Sequence, residues 1–62
     1  MINIIEARIK MTKNQIALHE DAVSQGLISQ SWDNGYITGL KVQLKTLEEL
    51  LISAKTLQEL SA

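Results

Sequence analysis

The sequence has no cysteine, no proline and no phenylalanine, a single histidine and only three glycines. Each shortage removes a way of stabilising a short chain. Without Cys, disulfides and thiolate metal sites are excluded together, and one His cannot supply the usual ligand set of a structural zinc site. The lack of Pro and scarcity of Gly leave long helices uninterrupted. Trp32 and Tyr36 are the only aromatics; small β-domains generally use more aromatics and more turn residues. Net charge is also nearly absent. Six basic and seven acidic residues leave −1, so no global field draws the chain to nucleic acid or to an anionic membrane. No stretch approaches the ~20 apolar residues of a membrane span, and Met1 to Lys10 holds no apolar run of signal-peptide length. A cytoplasmic protein without cofactor or metal is expected.

What is present is a hydrophobic content of 45%, drawn from Ile, Leu, Val, Ala and Met, which suits a helical core and argues against disorder. The chain has 62 residues, a length at which folding buries only about 60% of the unfolded surface. With disulfides and metals excluded, the remaining means of stabilisation is association with another chain. The expected fold is therefore all-α: one domain over residues 1–62, an antiparallel two-helix hairpin that self-associates into a helical bundle, a dimer being the simplest case.

One punctuation point divides the chain, from Gln25 to Ser31. Gly26 stands where a helix wants a left-handed C-terminal cap, and Leu27 after it is the apolar residue that often closes such a cap. Ser31 and Asp33 suit the first turn of the next helix, one as acceptor for free amides and the other as complement to the helix dipole. These signals predict a first helix over about 2–25 and a second over about 32–60.

At ~100° per residue the apolar residues of the first helix form two stripes rather than one. Ile2, Ile5, Ile9, Ile16 and Val23 cluster on one side; Ile4, Ala7, Met11, Leu18 and Ala22 cluster on the other. A single partner helix covers one stripe and leaves the other exposed, which usually marks an interface. The second helix carries Ile37, Leu40, Leu44, Leu47, Leu51 and Ala54 at heptad spacing, with Tyr36, Leu50 and Leu57 expected to widen that stripe and Val42, Ile52 and Leu60 lying away from it. A short connection makes the helices antiparallel. Ile16 then falls near Leu40, Ile9 near Leu47, Ile5 near Leu51, and Arg8 near Glu48 and Glu49.

Three sets of residues are candidates for function. Ile4, Met11, Leu18 and Ala22, together with the aromatic pair Trp32 and Tyr36, are the expected oligomer or partner interface, since aromatics with polar tips are common interface anchors. Lys10, Lys13, Lys41 and Lys45 fall on one rim and could receive a phosphate, a nucleotide or an acidic surface, although no Arg fork or stacking platform accompanies them. Gly35 and Gly39, four residues apart, each cost helix stability, so close approach of another helix is the expected reason for them, with approach of a ligand the alternative. His19 beside Glu20 and Asp21 lacks a nucleophile or pocket and is better read as a half-buried, hydrogen-bonded histidine at the helix interface. Nothing supplies a nucleophile, a metal cage or a phosphate loop, so no enzymatic role is expected.

The run Trp32-Asp33-Asn34-Gly35-Tyr36-Ile37-Thr38-Gly39-Leu40, followed by Leu44, Leu47 and Leu51, resembles the second helix of small phage and mobile-element proteins, in which a Gly-Tyr-x-x-Gly-Leu start leads into a Leu-rich helix. The resemblance covers about a third of the chain and implies a phage or prophage accessory protein, a class that includes host-takeover factors and inhibitors of bacterial defence; it assigns no functional residue. The expected function is thus a non-enzymatic module that binds and inhibits or scaffolds a host protein as an oligomer. The alternative is a small regulator that binds nucleic acid or a nucleotide through the lysine rim.

Overall fold

The computed structural model describes residues 1–61, apart from the side chains at positions 30, 32 and 33. Two helices, α1 (Ile2–Ser24) and α2 (Gln30–Ser61), are joined by the turn 25–29 and pack against each other as a hairpin. No strand occurs among the described residues. The second helix begins earlier than expected: Ser31 lies inside it, and Ser29 is the residue that precedes it. Ser29 is of the same preferred capping type, so sequence preference could not choose between the two serines.

The first helix ends as expected, at a glycine. Gly26 has φ +77°, its N–H donates to the Val23 carbonyl at 3.0 Å, and the Leu27 N–H donates to the Ala22 carbonyl at 2.9 Å. This crossed pair of bonds satisfies carbonyls that the helix end would otherwise leave without partners. The Leu27 side chain, 74% exposed, does not close the cap inside the chain. Replacing Gly26 with Ala puts a Cβ on left-handed backbone. Gly26→Ala is therefore expected to destabilise the hairpin by about 1 kcal/mol, and Gly26→Asn by less, as read from urea denaturation midpoints.

Packing follows a heptad seam on both helices. On α1 the buried or half-buried residues Ile2, Ile5, Ile9, Thr12, Ile16, His19 and Val23 recur at alternating steps of three and four. On α2 the matching set is Ile37, Leu40, Leu44, Leu47, Leu51 and Ala54. This spacing lets ridges of one helix enter grooves of the other at a shallow angle, which is why an antiparallel pair forms along the full length of α1. Three points fix the register. The rings of His19 and Tyr36 lie 4.4 Å apart near the turn, Leu51 borders a hollow with Glu6 and Ile9 midway, and Ile2 borders another with Ala54 at the far end. These agree with the expected pairing to within about a helical turn.

Two expectations need correction. Tyr36, Leu50 and Leu57 do not widen the buried stripe; they are exposed along one flank of it. Thr12, absent from the expected core, is its most buried member at 3% exposure. Its hydroxyl donates to the Arg8 carbonyl four residues back at 2.8 Å, so the polar atom is satisfied within the helix and the methyl group can face the seam. The expected nearness of Arg8 to Glu48 is also corrected: both are exposed, but they border opposite sides of the seam.

The resulting core is thin. Only Ile5, Ile16 and Leu40 are buried apolar residues among those described. The hairpin measures 50 × 16 × 11 Å and exposes 4778 Å². A monomer of 6.9 kDa is expected to expose about 4000 Å² by the usual scaling of area with mass.

Candidate protein-interaction face

The two flanks of the buried seam differ sharply in chemistry. On one flank α1 carries a second series at steps of three and four: Met1, Ile4, Arg8, Met11, Gln15, Leu18 and Ala22. The matching positions on α2 are Tyr36, Gly39, Gln43, Thr46, Leu50, Ser53, Leu57 and Leu60. In an antiparallel pair these two series border the same side of the seam. At the far end Met1 and Leu57, one from each series, line one hollow, and near the turn Tyr36 lies against the seam residue His19. Arg8 is the single charged side chain in either series.

Ile4 and Leu18 are each 68% exposed and Met11 57%, so the second stripe of the first helix is the uncovered one. Ala22 is half-buried, unlike the rest of its stripe. Tyr36 remains 41% exposed although its ring meets His19 at 4.4 Å and 38°, a contact worth up to ~1 kcal/mol. The expected anchor Trp32 lies outside the described side chains. The hydroxyl of Thr46 donates to the Val42 carbonyl at 3.1 Å, leaving a methyl group as its outward chemistry.

The opposite flank is charged. Glu6, Lys10, Lys13 and Glu20 follow one another on α1, and Lys41, Lys45, Glu48 and Lys55 on α2, all exposed. Lys10 and Lys13 line one open hollow with Glu6, Ile9, Asn14 and Leu51. Lys41 and Lys45 do not line it. Lys10 and Lys13 thus share their hollow with a carboxylate, Glu6, while Lys41 and Lys45 lie on the same flank outside it. Glu6 offsets the potential that an anion site needs, and the heptad alternation of Lys and Glu is that of a solvated coiled-coil edge.

Gly35 and Gly39 do not serve close packing inside the hairpin, because a Cβ built at either meets nothing within 4 Å. His19, Glu20 and Asp21 form no acid–base group. His19 turns into the seam, whereas the Asp21 carboxylate accepts from Gln25 Nε2 at 2.8 Å and its carbonyl accepts from Ser24 Oγ at 2.8 Å. Both contacts tie the last turn of α1 together. Among the described residues no group of three or more potential metal ligands occurs, and no helix is long and apolar enough to cross a membrane.

Comparison with protein-family models, with curated proteins and with solved structures finds no match to this chain. What can be said of its class therefore comes from the fold and the face: a two-helix hairpin with one apolar flank and one charged flank.

Proposed function

We propose that this protein is a non-enzymatic interaction module that works as an oligomer and binds a protein partner, inhibiting or scaffolding it, in the cytoplasm. The observation that supports this is the nearly uncharged, exposed flank led by Ile4, Met11 and Leu18. Depletion of charge with retention of Met, Leu and Tyr is the composition of an interface core rather than of ordinary surface. Repetition of the outer surface in an oligomer would strengthen partner binding without new contacts. Assignment to the phage accessory class rests on the resemblance of residues 32–40 with Leu44, Leu47 and Leu51.

Capture of a protein partner by the tagged chain tests the proposal. Leu18→Lys is expected to abolish capture, and Lys13→Glu on the opposite flank to leave it intact. The reverse pattern, with nucleic acid recovered in a steeply salt-dependent manner and lost in Lys13→Glu, would replace this reading with the regulator alternative.

A further inference from the structure

Building on the interaction-module reading, we infer that the apolar flank takes a second copy of this chain, laid antiparallel so that a two-fold axis crosses the hairpin at the level of Gln15 and Gln43. The chain exposes 4778 Å², about 800 Å² more than a monomer of its mass should. Standard protein interfaces bury about 800 Å² per partner. A flank running along a molecule 50 Å long and 16 Å wide can supply that area.

The face is also complementary to itself. A foreign partner requires no internal symmetry in the surface it meets, whereas a two-fold contact requires that each residue be matched by another of the same series. About Gln15 on α1, Met11 lies four positions before and Leu18 three after; about Gln43 on α2, Tyr36 and Leu50 are each seven positions away. Rotation about that level seats Met11 on Leu18 of the second copy and Leu50 on its Tyr36. Gln15 and Gln43 each meet their own counterparts, which gives one amide layer in an otherwise apolar seam. Such a layer sets register and orientation.

Two smaller features agree. Gly39 and Thr46 fall opposite one another across the same axis; the space that no atom fills around Gly39 admits the Thr46 methyl group, whose hydroxyl is already satisfied by Val42. The lone charge, Arg8, is carried away from its own copy by fourteen positions, roughly 21 Å at ~1.5 Å per residue. Stacking the hairpins with both turns at the same end would instead set the two guanidinium groups at one level on diagonally opposed helices, closer together than roughly 21 Å.

Because the chain has no cysteine, single-cysteine variants test the geometry directly. Gln43→Cys is expected to give a covalent two-chain species on oxidation or with a short bismaleimide, and Lys13→Cys on the charged flank none. Leu18→Lys in the Gln43→Cys background should weaken self-association about 100-fold, because each change acts twice in a symmetric contact, with helix content by circular dichroism retained. Cross-linking of Gln15→Cys to Gln43→Cys in a mixed sample, without Gln43→Cys to itself, would overturn the antiparallel arrangement. Sedimentation of the unmodified chain as a monomer at micromolar concentration would overturn the second copy. If that monomer still captured a protein in a Leu18-dependent way, the partner-binding part of the interaction module would stand, while its oligomeric part and this inference would fall; without such capture the whole reading would fall.

Discussion

Ile16→Ala is expected to melt the hairpin, whereas Leu18→Ala, half a turn further along the same helix, is expected to leave the dilute chain almost unchanged. Both substitutions remove apolar carbons from a branched side chain, so transfer chemistry alone cannot separate them. Location does. Ile16 is 8% exposed, as buried as Leu40 on the other helix, and large-to-small changes at such sites cost about 2–5 kcal/mol. A chain of this length holds a total stability of about 3–9 kcal/mol, so the loss is most of what there is. Leu18 is 68% exposed, and its truncation should cost within about 0.5 kcal/mol in the isolated hairpin. Thermal unfolding followed by circular dichroism checks both. A cost for Leu18→Ala that appears only as the protein is concentrated would mark the residue as part of a contact between copies, since association links stability to concentration. Equal melting of the two variants in dilute solution would contradict the packing described above.

Substituting Gly35 and Gly39 together with Ala should act in the opposite direction and raise stability by about 2 kcal/mol in the dilute hairpin. Each glycine lies inside α2 and costs about 1 kcal/mol relative to Ala in a helix interior, through the backbone freedom it gives up on folding. Neither recovers that cost inside the hairpin, because an added Cβ meets nothing within 4 Å. The denaturation midpoint of Gly35→Ala and of the double variant measures the gain. The two positions differ in one respect: Gly39 lies on the apolar flank and Gly35 does not. Gly39→Ala should therefore stabilise the separated hairpin and weaken association, while Gly35→Ala should stabilise both states alike. A destabilised monomer in either single variant would mean that the glycine is needed within the chain.

The sequence-based reading located the hairpin, the turn and both stripes of α1 because these depend on local rules. Gly26 could be read from its position after an apolar-periodic segment, and it carries the positive φ expected of it. The seam of α2 from Ile37 to Ala54 was legible because every member is apolar. Thr12 was missed for the converse reason: its residue type argues for the surface, and only the bond to the Arg8 carbonyl removes the cost of burying it. Tyr36, Leu50 and Leu57 were assigned to the core by type and proximity. They fall one position outside the groove that the partner helix can fill, so they border it instead.

The lysine rim shows a different limit. Register sets four lysines near one another, but the potential of a site depends on both signs of charge, and Glu6 lies in the same hollow as Lys10 and Lys13. The glycine pair was read as a site of close approach, which is a statement about what lies outside the helix. No local signal can supply that.

By itself the sequence determined that this chain forms two long helices joined at Gly26 and that α1 has more apolar surface than one neighbour can cover. Both follow from propensity, capping and periodicity, which act within a few residues. Only the tertiary structure decided which stripe is used. The seam through Ile5, Thr12 and Ile16 wins because its steps of three and four run on without a charged residue to meet α2 along its whole length, while the series through Ile4, Met11 and Leu18 is displaced to a flank and left open. That choice also sorted the charges, placing all five lysines with Glu6, Glu20 and Glu48 on one flank and leaving Arg8 alone on the other. Each helix carries a charged and an uncharged side by its own periodicity, and the antiparallel register is what sets like sides next to each other.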